Sequence, residues 1–235
     1  ISYGIETSRR MKPHIFLNMA MSLDGKISTR DGAGPRFTSD ADKIRLREIR
    51  SQADAILVGA GTIIADDPTF SQHGKHRELR LQKNMAPNPI KAVVSGSGSV
   101  PETARMFQPN GAPALVFTTE HILPSHLEKL RQVAEVYVVG RAEVDFRRAI
   151  EILGNTYEVK QLLVEGGGQV NFDLFRAGLI DEVYLTLCPK IIGGRDVPTI
   201  AEGTGFDFLD IVGLELLDRR VVDDEIFLHY HVRRG

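Results

Sequence analysis

Short apolar runs bounded by turn formers alternate along this chain with segments whose apolar residues recur every three or four positions. Residues 14–21, HIFLNMAM, are a run of the first kind and predict a buried strand. A polar, glycine-bearing loop is expected over 22–36. Ser39 and Asp40 are helix-capping residues and Asp42 falls in the first turn. Ala41, Ile44, Ile49 and Ala53 keep one side apolar, so a helix is expected over 39–53. The same alternation predicts a strand at 55–59, a short helix at 60–67, and strands at 90–96 and 112–119. It continues with a helix at 124–134, a strand at 135–140, a helix at 146–155, a strand at 159–167 and a helix at 168–178. Residues 67–89, ending in two prolines, are expected to be a polar connection.

Strands that are apolar on both faces and alternate with helices predict a mainly parallel α/β sheet covered by helices on both sides. The last third differs. Segments 181–192, 213–222 and 224–234 leave no room for intervening helices, and Asp223-Asp224 suits a hairpin turn. The sheet is therefore expected to finish in antiparallel strands. No composition break marks a second domain, so residues 1–12 are expected to be a flexible lead-in and 13–235 one domain.

With 235 residues, 42% of them hydrophobic, the chain can bury roughly 70 to 75% of its unfolded surface. A net charge of −2 without a basic stripe argues against nucleic acid or an anionic membrane as partner and favours a small metabolite. The single cysteine, Cys188, excludes an internal disulfide and a cysteine-based zinc site, which fits the cytoplasm. No run approaches the roughly 18 apolar residues that span a bilayer. The seven histidines show no metal-binding spacing, so no metal is expected, and His229 and His231 are expected to be packed or solvent-facing.

The densest candidate chemistry is LLVEGGGQVNFDLF, 162–175, where Glu165 and Gly166, Gly167 and Gly168 stand between a strand and a helix. Backbone N–H groups and the helix dipole attract phosphate at such a place, although Asn171 stands where a dinucleotide G-x-G-x-x-G fingerprint needs its last glycine. A phosphate-bearing ligand touching the bare backbone and close helix packing both remain open. Glu165 is at the carboxyl edge of the expected sheet, where ligands collect; a solvated strand end is its bland alternative. Asp24-Gly25 is ordinary turn chemistry, and Lys26 is a phosphate clamp or a surface charge. Asp66 and Asp67 sit at a helix end that disfavours negative charge, as a ligand contact or as the start of a turn before Pro68.

Taken together, MSLDGKIS, VGAGTIIADDPTF, LLVEGGGQVNFDLFRAGLIDEVYLTLCPKIIGG and the closing strands resemble the reductase family of riboflavin biosynthesis over about 13–233. That family comprises the stand-alone diaminopyrimidine ribosyl-phosphate reductases and the reductase half of the bifunctional deaminase-reductases. The resemblance implies a dihydrofolate-reductase-like fold, a homodimer, and NADPH as cofactor. It implies reduction of a ribosylamino-pyrimidine 5′-phosphate to the ribitylamino form. By the same resemblance, Lys26 and Glu165 are the expected catalytic residues facing the ribosyl group, and Asp24, Arg36, Arg50 and His73 the expected substrate contacts. Thr62, Asp66, Ser95, Gly96, Gly166, Gly167, Gly168, Gln169, Val170 and Asn171 are the expected cofactor contacts.

Two segments depart from the family pattern. Ser95, Gly96, Ser97, Gly98 and Ser99 stand where it often has D-S-x-x-R, which removes an arginine for the 2′-phosphate and leaves NADH open beside NADPH. Phe70, Ser71 and Gln72 precede His73 in an altered loop. The zinc ligands of the deaminase half have no counterpart in this sequence, which implies a reductase acting alone or beside a separate deaminase. A related enzyme reducing a pterin or another heterocycle, and a non-catalytic nucleotide-binding module, are the alternatives.

Overall fold

The computed structural model describes residues 12–32, 34 and 36–234, so nearly all of the expected lead-in lies outside the described residues. Strand β1 (His14–Ser22) is followed by helix α1 (Asp40–Arg50), β2 (Ala55–Gly59), α2 (Ala60–Asp66) and α3 (Gly74–Gln82). Then come β3 (Ile90–Val94), β4 (Ala114–Thr118), α4 (Pro124–Arg131), β5 (Glu135–Val138), α5 (Phe146–Thr156), β6 (Gln161–Val164) and α6 (Gly168–Arg176). β7 (Glu182–Cys188), β8 (Leu214–Val222) and β9 (Glu225–Val232) complete the chain. All nine strands form one sheet in the order β5, β4, β3, β2, β6, β1, β7, β9, β8. The pairs from β5 to β7 are parallel, and β9 pairs antiparallel with both β7 and β8. The sheet is thus mainly parallel with an antiparallel end, as the sequence pattern predicts.

Alternate residues of the central strands enter opposite cores, because side chains along a strand point to opposite faces. Ile15, Leu17, Leu57, Leu115 and Val164 join the core built with Ala149 and Leu153 of α5 and Leu174 of α6. Phe16, Ile56, Val58, Val116 and Leu163 join the one built with Ile49 of α1, Ile63 of α2 and Leu130 of α4. Helix α1 starts where its capping residues place it: the Ser39 hydroxyl accepts a hydrogen bond from the Asp42 N–H. Asp223 makes the β8–β9 turn with a φ of 52°.

The 67–89 segment is not wholly irregular, since it contains α3. What holds that helix is a buried cation rather than an apolar stripe. Arg80 is 1% exposed, and its guanidinium donates to the carbonyls of Ala86, Ser51 and Ala53, two of which close the end of α1. Leu79 and Leu81 remain exposed, so hydrophobic periodicity gives no signal here. Cys188 is fully buried, and burial and the Glu225 carboxylate, which accepts from its Sγ at 3.5 Å, push the thiol pKa up to about 12. Among the described residues, no helix is long and apolar enough to cross a membrane.

Candidate active site

Parallel strands deliver the loops that follow them to one edge of the sheet, and the carboxyl ends of β1, β2, β3 and β6 surround a cavity of about 1100 Å³. Its floor holds Glu165, one residue beyond β6, in a bidentate pair with Arg50 at the end of α1. Arg50 Nε donates to Oε1 at 2.7 Å and Nη2 to Oε2 at 2.6 Å. The side chains are 21% and 9% exposed, so this pair is largely withdrawn from water. Burial works against the Arg50 charge, but the Glu165 carboxylate and its hydrogen bonds outweigh it and hold the guanidinium pKa above its ordinary value. Because two of its donors are engaged by Glu165, Arg50 is first of all a clamp for that carboxylate.

Arg36, Thr62 and Asp66 line the same end of the cavity. Burial pushes the Asp66 carboxyl above the usual carboxylate range, countered in part by Arg36, by the Gly34 backbone N–H and by Arg50. Asp42, which the motif analysis did not nominate, also lines the wall. It is buried, accepts from the Thr186 hydroxyl at 2.6 Å, and has its pKa raised by burial against the hydrogen bonds it receives.

The triglycine bend separates into three demands. Gly166 has a φ of 79°, a conformation that L side chains rarely adopt, and its carbonyl accepts from the Gly59 N–H at 2.7 Å. A Cβ on Gly168 would lie 2.4 Å from the Thr199 carbonyl oxygen, so close packing requires glycine there. Gly167 is different: a Cβ there would meet nothing within 4 Å, its φ is −66°, and the residue lines the cavity at the start of α6. Contacts at Cβ therefore do not account for a glycine at this position. Beyond it, Gly168, Gln169 and Val170 continue the wall, and Ser95 and Gly96 line it from the end of β3.

Other nominated residues stand elsewhere. Asp24 is not in the cavity wall; it is engaged by the Ser22 hydroxyl at 2.6 Å and by the N–H groups of Ile192 and Gly193 at 3.1 and 2.7 Å. These bonds tie the turn after β1 to the segment after β7. His73 is the exposed N-cap residue of α3 and does not line the cavity. Asn171 is fully buried and donates to the Ile200 carbonyl, so it anchors the 200 region rather than the cavity surface. Lys26 donates from Nζ to the Val197 carbonyl at 2.8 Å, beside the lining residues Ile27 and Pro198. Motif analysis also passed over Glu143, Val144, Asp173 and Arg176, which line the cavity. Glu143 and Val144 follow a parallel strand, so the carboxyl-edge rule that singled out Glu165 would have found them. His229, expected to be packed or exposed, is partly buried and shares a 2.8 Å contact with Glu182. Among the described residues no group of three or more His, Cys, Asp or Glu is arranged to hold a metal ion.

The model of the RibD C-terminal domain family matches residues 13–227. The chain belongs to this family. Two similar curated relatives are named 2,5-diamino-6-ribosylamino-4(3H)-pyrimidinone 5′-phosphate reductase. The one from Methanothermobacter thermautotrophicus is 34% identical over 95% of this chain and 100% of its own, and the one from Archaeoglobus fulgidus is 36% identical over 83% and 89%. Reductase-named relatives over nearly the whole chain make this RibD C-terminal domain protein an oxidoreductase. A solved pyrimidine reductase-like protein from Corynebacterium diphtheriae superposes with a TM-score of 0.83 at 24% identity, covering 95% of this chain and 93% of that one. At that identity the likeness speaks for the fold, which is the dihydrofolate-reductase-like one expected from the resemblance.

The Asp24 contacts have a measurable consequence. The Ser22 hydroxyl first, then the two backbone N–H groups, hold its pKa down to about 2, below the ordinary 3.8. A depressed folded-state pKa means that the tie is fully present above pH 3.8 and is lost as pH falls through about 2. The amide resonances of Ile192 and Gly193 are expected to titrate together with a midpoint near 2, and that step is expected to vanish in Asp24→Asn. A midpoint at the ordinary carboxylate value would show that the tie is not made in solution.

Proposed function

We propose that residues 13–235 act as one cytoplasmic reductase domain that reduces the ribosyl group of a (di)aminopyrimidine ribosylamino 5′-phosphate to the ribityl form, with NADPH as the reductant, in riboflavin biosynthesis. The observation that carries this is the open face of Gly167 in one cavity with the clamped Glu165. Relatives similar over nearly the full chain bear the name of this activity.

The residues present fit a nicotinamide dinucleotide. The bare backbone at Gly167 and the N-terminus of the nine-residue α6 suit a diphosphate, and Thr62 and Asp66 offer a hydroxyl and a carboxyl to its polar edge. When bound, the cofactor supplies a hydride. What remains for this chain is positioning and electrostatics. Arg50 holds Glu165 in one orientation, so its carboxylate can accept from sugar hydroxyls and fix which face of the reacting carbon is presented. Arg36 supplies positive charge for the 5′-phosphate, since the fork of Arg50 is occupied. Lys26 lies beside the cavity wall with its ammonium on the Val197 carbonyl, and exchanging that carbonyl for a sugar oxygen gaining electron density would give it an electrostatic role.

A homodimer is part of this reading. Strand β8 is a free sheet edge, and Leu214, Leu216 and Val221 pair with Val232, Tyr230 and Ile226, which puts all six on one sheet face. The three β8 side chains are 41%, 46% and 69% exposed. A long apolar edge of this kind calls for a cover, and a second copy provides one. Val221→Glu is expected to halve the mass seen by sedimentation; an unchanged monomeric mass in the parent protein would remove the dimer.

NADPH oxidation is expected with a ribosylamino-pyrimidine phosphate, and turnover confined to a dihydropterin would overturn the reading. Glu165→Gln is expected to lower turnover about 100-fold while leaving cofactor affinity within about threefold. Gly167→Val is expected to weaken cofactor binding at least about tenfold by occupying the ligand's place, with circular dichroism reporting whether the variant is folded. Unaltered affinity in a folded Gly167→Val protein would move the dinucleotide elsewhere.

A further inference from the structure

The cavity wall formed by α6 carries charge to which the reaction described above gives no role. One face of the helix makes this wall, with Gln169, Val170, Asp173 and Arg176 spaced at i, i+1, i+4 and i+7. Opposite stands Glu143, in the segment between β5 and α5. Arg176 Nη2 reaches across to Glu143 Oε2 at 3.2 Å and to Asp173 Oδ1 at 3.0 Å. Glu202 stands at the other end of α6, where its N–H donates to the Gly168 carbonyl. Arg176 thus faces two carboxylates, those of Glu143 and Asp173. The Ser95-Gly96 corner brings no positive charge.

NADPH and NADH differ at one place, the adenosine ribose, which bears a 2′-phosphate in the first and a free 2′-hydroxyl in the second. A carboxylate recognises the hydroxyl and repels the phosphate, whereas an arginine does the reverse. This rim holds one of each, locked to the other. A dinucleotide with its diphosphate at the start of α6 and its nicotinamide toward Glu165 sends its adenosine half along this face of the helix.

We propose that Glu143 and Arg176, paired across the rim of the cavity, select between NADPH and NADH: Arg176 receives the 2′-phosphate and Glu143 opposes it. Binding NADPH requires Arg176 to exchange Glu143 for the phosphate, with Glu143 and Asp173 still close to the added negative charge. NADH leaves the pair intact and offers its 2′-hydroxyl to Glu143. The chain is therefore built to accept both cofactors with a small preference, and the preference is adjustable from either partner. Glu143 is 80% and Arg176 51% exposed, so each can be changed without opening the core.

This inference rests on the proposed dinucleotide site and is tested by binding rather than turnover. Isothermal titration calorimetry with NADPH and NADH is expected to give dissociation constants within about tenfold of each other for the parent protein. Arg176→Gln is expected to weaken NADPH about tenfold and NADH less than about twofold, and Glu143→Gln to tighten NADPH about threefold while leaving NADH the same or weaker. If both cofactors bind but neither substitution moves their ratio, the role given to this pair is wrong and the site itself stands. If neither cofactor binds the parent protein, the dinucleotide site falls and this inference with it. Salt gives an independent readout: the ratio is expected to move toward NADH as ionic strength rises, because both groups are exposed enough to be screened.

Discussion

The pairing of Arg50 with Glu165 is the contact on which the rest of the candidate site depends. It joins the last residue of α1 to the residue just past β6, 115 positions away, and so fixes a helix from one layer against the edge of the sheet. Bringing both charges out of water is costly, and a bidentate geometry is what offsets it. Losing either partner would leave the other buried and uncompensated, so cavity floor and fold are coupled at this point. The orientation of Glu165 is thereby fixed before any ligand arrives, which is the preorganisation that an electrostatic role requires.

Around that contact, the parallel sheet does the placing. Loops following β1, β2, β3, β5 and β6 all contribute to one cavity because parallel strands end at the same edge. The antiparallel end, β9 and β8, contributes instead a second surface on the far side of the sheet order. One architecture thus separates the cavity from an exposed apolar edge strand. Both follow from the same change in connectivity after β7, where a long connection to β8 and the β8–β9 hairpin replace helical crossovers.

Much of this was legible from residue patterns because the relevant physics is local. Strand apolarity, the Ser39 cap and the Asp223 turn each declare themselves within a few residues, and the structure has them where the pattern puts them. Glu165 and the glycines were legible as a strand end opening a helix. Helix α3 was not, because its anchor is a buried arginine serving carbonyls of another helix, a contact with no periodicity. Asp24 stands next to Lys26 in a motif, but its partners Ile192 and Gly193 are 168 and 169 positions away in sequence. Likewise, nothing in the string 140–176 announces that Glu143 and Arg176 meet. The three glycines looked equivalent in sequence; only the surroundings distinguish a backbone demand, a packing demand and an opening.

The burial of Cys188 has a practical corollary. It is the lone thiol of the chain, fully enclosed and held in its protonated form, so it takes no part in alkylation or mixed disulfides while the protein stays folded. A cysteine introduced on any exposed strand or loop would therefore carry a spin label or fluorophore alone. Distances across the cavity mouth become accessible to spectroscopy without first stripping the native sequence of reactive sulfur.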